Sequence, residues 1–146
     1  MNTKKNSVSV LQVNFDDKKL INKIFEIRNQ VFVVEQNVDP SEEYEFEEFS
    51  IHFLLFEDKT PCATARYRKT EKGFKLERFA VLKQYRKKGY GNKILERILE
   101  ELKDTEDVIY LHAQVQVVDF YKKQGFIKEG DIFSEAGIQH YKMIYN

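Results

Sequence analysis

The chain has 146 residues, 42% of them hydrophobic and 14% aromatic, enough for one core; two domains would each be marginal. Lys plus Arg equals Asp plus Glu at 24 each, so no overall field favours nucleic acid or an anionic membrane. No stretch reaches the roughly 18 apolar residues of a membrane helix, and the basic start has no apolar run behind it. The expectation is one cytoplasmic domain over residues 1–146 with no nucleic-acid or membrane partner. The lone Cys62 has no disulfide mate and no nearby His or Cys, so it reads as a buried strand thiol and no metal site is expected.

In chain order, Val8 to Val13 is short and β-branched and reads as a strand, after which Asp16 or Asp17 can cap a helix. Leu20, Ile21, Ile24, Phe25, Ile27, Arg28, Val31 and Phe32 recur at near-helical spacing, although Val31 to Val34 also suits a strand. Five glutamates fall between Glu42 and Glu48; with Pro40 ahead of them they predict a long loop or a broken short helix. Three strands follow, Ile51 to Phe56, Cys62 to Lys69 and Phe74 to Leu82, with turn formers between them, so an antiparallel meander is expected. Ile94, Leu95, Ile98, Leu99 and Leu102 make the apolar stripe of a helix lying on a sheet. Val108 to Val115 is a further strand, Val117 to Gln124 a short helix stopped by Gly125, and Phe126 to Phe133 with Gln139 to Ile144 a closing strand pair. Strands first adjacent and then separated by helices predict an α/β protein with a mixed sheet flanked by helices.

The charge is segregated. Lys83 to Lys93 holds Lys83, Arg86, Lys87, Lys88 and Lys93 without an acid, and a Gly-Tyr-Gly turn, Gly89 to Gly91, sits in it just before the second helix. The first N–H groups of a helix lack internal partners and its dipole is positive there, so this place suits a diphosphate. The sequence lacks the Gly-Lys-Ser/Thr ending of a P-loop, and one Gly-x-Gly pair is too few for a dinucleotide fingerprint. Lys88-Gly89-Tyr90-Gly91 matches the start of an RNA-recognition strand motif, but the residues after it open a helix. Read alone, the turn is either an anion cradle or a solvated helix start. The glutamate run is likewise either an attractor for a cation or a solvated loop.

Arg86-Lys-Lys-Gly89-Tyr90-Gly91 resembles the Arg/Gln-x-x-Gly-x-Gly/Ala signature of the GNAT acetyltransferase superfamily. Phe79-Ala80-Val81 looks like the strand that precedes it, and Phe120-Tyr121-Lys-Lys-Gln-Gly125-Phe126 like the family's later Phe-Tyr-x-Lys-x-Gly-Phe motif. The likeness covers nearly the whole chain. Arg28-Asn-Gln-Val31-Phe32-Val-Val-Glu35-Gln36 and Glu135-Ala-Gly137-Ile138-Gln139-His140 resemble the ElaA/YjcF-like branch. Where many members carry Asn seven residues before the tyrosine, this chain has Gln114, and Gln139 replaces a common proline.

The resemblance implies an acyl-CoA N-acyltransferase fold with a mostly antiparallel central sheet, and acetyl-CoA as co-substrate. The backbone from Lys87 to Asn92, with Arg86, Lys88, Gly89, Tyr90 and Gly91, would hold the pyrophosphate. Phe79, Ala80 and Val81 would pair with the pantetheine arm, and Gln114 would border the same site. The Val81 amide would face the thioester carbonyl. Tyr121 would be the general acid for the departing thiolate. For the base, Glu77 comes first: four residues before Val81, it shares a sheet face with it if no bulge intervenes. Glu35 comes second. His140 is a further imidazole, the side-chain type that titrates near neutrality, whereas His52 and His112 read as sheet residues. The acceptor would be an amine of a small molecule or peptide, and the alternative is a non-catalytic acyl-CoA-binding module. A homodimer is left open.

Overall fold

The computed structural model describes residues 7–146; the basic start of the chain, residues 1–6, lies outside them. Strand β1 (Val8–Val13) is followed by helix α1 (Lys18–Arg28), whose first turn is capped by Asp17 accepting from the Leu20 amide at 3.2 Å. The helix continues as a wider π-helical stretch, Asn29–Glu35, so Val31 and Phe32 stay on the buried side of a helix and the strand alternative for Val31 to Val34 is not realised. The glutamate run breaks into a short helix α2 (Pro40–Glu43) and a 3-10 turn, Glu47–Phe49.

Strands β2 (Ile51–Glu57), β3 (Thr60–Thr70) and β4 (Gly73–Val81) form the expected meander. Helix α3 (Tyr90–Glu101), β5 (Ile109–Gln114), α4 (Val118–Lys123), β6 (Phe126–Glu135) and β7 (Ile138–Tyr145) complete the chain. All seven strands form one sheet in the order β1-β2-β3-β4-β5-β7-β6, and only β4 with β5 is parallel.

Two apolar layers sandwich the sheet. On one face α3 buries Tyr90, Ile94, Leu95 and Ile98 against Phe53, Leu55, Ala63, Leu76 and Leu111. On the other α1 buries Ile21, Ile24 and Ile27 against Val13, Leu54 and Ala80. Each such Leu or Ile contributes about 1.5–3 kcal/mol by leaving water, so the two helices clamp the sheet from both sides. Cys62 lies in the first layer, its thiol donating to the Thr60 carbonyl at 3.0 Å.

The site depends on where β4 and β5 part. They meet only from Phe74–Ile109 to Leu76–Leu111. That start needs Gly73: a Cβ there would sit 2.1 Å from the Val108 carbonyl oxygen. Past Leu76 the register of β4 against β3 slips by one residue, with Arg78 at φ +60°, which is a β-bulge. Strand β4 stays with β3 through Val81, β5 stays with β7 through Gln114, and the gap between them opens.

The bulge also reverses the alternation of side chains. Before it the even residues Phe74 and Leu76 belong to the α3 layer; after it the odd residues Phe79 and Val81 do. Glu77 and Val81 therefore point to opposite faces, which overturns the shared face expected from simple alternation. No glycine marks this bulge, so nothing local in the sequence announced it.

Candidate active site

The opened sheet forms a cleft of about 830 Å³ that runs from α3 to β7. Its near end is built mostly from backbone. Gly89, at φ +76°, turns the chain into α3, and Lys87 is also left-handed at φ +66°. No side chain caps the α3 N-terminus and its first turn holds no acid, so its leading amides face outward beside the cleft. A Cβ at Gly91 would come to 3.9 Å from both Phe120 and Val81, so glycine keeps this mouth open.

The basic residues of the loop divide in role. Arg86 lines the cleft, donating through Nε to the Val81 carbonyl at 2.9 Å and through Nη2 to Glu35 at 2.8 Å. Lys88 pairs with Glu57 at 3.1 Å, and Tyr90 donates its hydroxyl to the same carboxylate, a bond that pushes the phenol up to about 12. The Tyr90 ring is in the core, so only its main chain is placed to meet a ligand. Asn92 donates to Glu96 along the helix at 3.0 Å.

Midway along the cleft stand Phe79, Phe120 and Tyr121. The Tyr121 ring meets Phe79, Phe120 and Phe126 edge to face at 5.9, 5.0 and 5.8 Å. Its hydroxyl has no hydrogen-bond partner among the described residues, and burial pushes it above the usual phenol range. This phenol holds its proton firmly, and nothing inside the protein competes for it.

The far end is built from side chains on the α1 face. Gln114, at the end of β5, exchanges hydrogen bonds with Gln36 at 2.9 and 3.3 Å, bridging the cleft from β5 to the end of the π-helical stretch. Gln36 closes the Arg28-to-Gln36 motif, but its partner lies 78 residues away and no local pattern reveals the bridge. Beyond it, His112, Glu135, His140 and Ile138 line the wall. His112 is thus more than a sheet residue: its Nδ1 lies 2.8 Å from a Glu135 carboxylate oxygen.

Glu77 reaches the cleft, but its carboxylate is committed elsewhere. Arg66 donates to it at 2.8 and 3.1 Å and Arg68 at 2.6 Å, while the Lys75 ammonium lies 3.3 Å away. Burial alone would raise its pKa, but the charges of Arg66, Lys75 and Arg78 and the Arg68 hydrogen bond outweigh that and hold it at about 2. Such a carboxylate takes a proton from an ammonium against a gap of about 8 units, which makes it a weaker proton acceptor than an unpaired carboxylate. Glu35, the second choice, is paired with Arg86.

The glutamate run belongs to the same buried lattice. Arg28 and Arg66, each 1% exposed, are neutralised by Glu43 at 2.8 Å, by Glu47 and by Glu77, and Arg78 leans on Glu43 and Glu45 at 3.5 and 3.4 Å. Within the run Glu43 and Glu47 are counter-ions for arginines folded beneath them, while Glu42, Glu45 and Glu48 stay exposed to solvent. His52, also buried, meets the Glu47 carbonyl at 2.8 Å through Nε2. Among the described residues no cluster of His, Cys, Asp or Glu is arranged to hold a metal, and no helix is long and apolar enough to cross a membrane.

A sheet split beside a parallel strand pair, with a glycine-lined helix start at the split, defines the acyl-CoA N-acyltransferase architecture. The chain belongs to the GNAT acetyltransferases: the family described as the Acetyltransferase (GNAT) domain matches residues 14–146. Within that family it resembles the ElaA/YjcF branch. It is 37% identical over 123 residues to the uncharacterised N-acetyltransferase YjcF of Bacillus subtilis (strain 168), covering 82% of this chain and 88% of that one. Escherichia coli ElaA superposes with a TM-score of 0.84 at 24% identity, over 96% of this chain and 99% of ElaA. The PaiA N-acetyltransferase of Thermoplasma acidophilum, solved with coenzyme A, shares the fold at a TM-score of 0.66 and 15% identity, over 95% and 98% of the two chains. The protein is therefore an acyltransferase by family.

Proposed function

We propose that this protein is a cytoplasmic N-acetyltransferase that moves the acetyl group of acetyl-CoA to an amine of a small molecule or peptide. One observation carries the reading: the cleft joins an uncapped, glycine-lined helix start to a strand edge left open by the bulge and then to the unpaired hydroxyl of Tyr121. The amides of Lys87 to Asn92 receive the pyrophosphate, helped by Arg86 once it exchanges Glu35 for phosphate. Phe79 to Val81 pairs with the pantetheine amides as a neighbouring strand would, which lays the thioester beside Tyr121. The Val81 amide supports the oxyanion.

Tyr121 then donates to the sulfur as the carbon–sulfur bond lengthens. Its raised pKa makes complete transfer to a thiolate uphill, so its contribution is a hydrogen bond that strengthens as negative charge grows on sulfur. A binding module would need the cradle but not that hydroxyl. Screening an amine library for coenzyme A release tests the reading. Tyr121→Phe should lose about 100-fold in turnover while binding acetyl-CoA with unchanged affinity. Binding without acetylation of any amine by the wild type would favour the non-catalytic module instead.

A further inference from the structure

Resting on that reading, we infer that His112 is the proton acceptor for the incoming amine and that Glu135 is the residue that positions it. An ionised carboxylate can only accept hydrogen bonds, so the 2.8 Å contact with Glu135 puts a proton on His112 Nδ1 and leaves Nε2 with a lone pair. Glu135 is well suited to that task. The His112 hydrogen bond, with the charges of Lys75 and His140, outweighs its partial burial and keeps it ionised down to about pH 2. The same carboxylate stabilises the imidazolium once His112 has taken a proton.

Placement supports the role as much as chemistry does. His112 lies on β5 where β4 has departed, so its ring lines the cleft instead of facing a neighbouring strand. Phe133 holds the ring edge to face at 4.9 Å, and Tyr110 flanks it at 6.0 Å. Leu111 and Ala113, its neighbours on β5, belong to the α3 layer with Tyr121; His112 points to the other face. The hydrogen-bond donor for sulfur and the proton acceptor for nitrogen thus stand on opposite faces of one strand, with the split sheet between them.

The two carboxylates that the sequence offered as bases are already paired. Glu77 is held by Arg66, Arg68 and Lys75, and Glu35 by Arg86. His140 turns its Nδ1 to the Ile138 carbonyl of its own strand at 2.7 Å, stacks on Phe133 at 5.8 Å and is 7% exposed; no carboxylate hydrogen-bonds its ring. Of the imidazoles in the cleft, His112 alone combines a carboxylate partner with a one-quarter-exposed side chain.

The step balances without another reactant. The ammonium gives one proton to His112 Nε2, the freed nitrogen forms the bond to the thioester carbon, and as the carbon–sulfur bond breaks with its electron pair on sulfur the nitrogen gives up its second proton through water to that sulfur. The sulfur ends as thiol, the Tyr121 hydrogen bond stabilising its charge until that proton arrives, and His112 returns its proton to water. One proton is released overall.

The test uses two nucleophiles near neutral pH: an alkylamine, with a pKa of about 10.4, that must be deprotonated, and hydroxylamine, which is already neutral. His112→Gln should reduce acetylation of the alkylamine by about 100-fold but that of hydroxylamine by less than about 10-fold, and Glu135→Ala should show the same selective loss more weakly. Equal losses with both nucleophiles, or the selective loss appearing in His140→Gln instead, would overturn the assignment. Acetyl-CoA affinity, measured on each variant, separates this outcome from failure of the transferase reading, in which the wild type transfers to neither nucleophile. Ring-nitrogen NMR needs no turnover: the wild type should show the Nδ1–H tautomer at His112 and Glu135→Ala should lose that preference. An Nε2–H tautomer in the wild type sinks the inference whatever the kinetics show.

Discussion

The two ends of the cleft are made of different material. The cofactor end uses main chain: the α3 amides, the open edge of β4 and two glycines, all drawn from residues 79–92. The acceptor end uses side chains, with Gln36, Glu77, Gln114, His112, Glu135 and His140 brought together by sheet register. Beneath them Arg28, Arg66, Glu43, Glu47 and Glu77 form a lattice of charge sealed from water. A backbone site is written in consecutive residues and tolerates change in the side chains around it. A side-chain site depends on long-range pairing, and on the balance of every charge buried with it.

That contrast can be broken most forcefully at Arg66. Arg66→Met removes the cation shared by Glu77 and Glu47, leaving them to Arg68, Lys75 and Arg28, and should cost about 3 kcal/mol in urea unfolding, while the fraction that remains folded binds acetyl-CoA normally. A loss of coenzyme A affinity in the folded variant would show that the two ends are coupled.

Acid should expose the same lattice. The Glu77 carboxylate has an ordinary pKa of 4.5 and is held at about 2 in the fold, so its stabilisation is complete above pH 4.5 and drains away as pH falls toward 2. The shift corresponds to about 3 kcal/mol, readable as a falling urea midpoint across that window. Glu77→Gln should flatten this limb. If Glu77 were the base, the same variant would lose turnover as well.

At the cofactor end the effects should be on binding, with stability untouched. Gly91→Ala places a methyl at ordinary contact distance from Val81 and Phe120, so it folds. The methyl narrows the mouth of the cleft, and the predicted result is a loss of about 10-fold in acetyl-CoA affinity, about 1.4 kcal/mol, with the melting temperature unchanged. The smallest effect belongs to the bridge. Gln36→Ala leaves Gln114 to water and to Gln116 and should cost less than about 1 kcal/mol of stability, with a change in the acceptor KM but not in coenzyme A affinity.

The sequence read well wherever its signal was local. The β2-β3-β4 meander, the α3 stripe, a helix cap at Asp16 or Asp17 and the glycine turn all rest on residues within a few positions of one another. The failures fall where distance decides. The bulge sits on Arg78, a residue type that rarely adopts positive φ, so alternation placed Glu77 on the wrong face. The glutamate run could not be interpreted without Arg28, Arg66 and Arg78, whose side chains reach it only in the fold. His112 read as a sheet residue because its carboxylate lies 23 positions away on β6. In each case composition supplied the charge and register supplied its partner.

Acetyl-CoA is proposed to lie along the split between β4 and β5 with its pyrophosphate on the α3 N-terminus. Titrating isotope-labelled protein with acetyl-CoA and following amide resonances by NMR tests it most directly. Saturable shifts are expected in the amides of residues 79–81 and 87–92, extending to Tyr121 and leaving α1 unchanged. Shifts confined to other surfaces, or none at saturating acetyl-CoA, would contradict it.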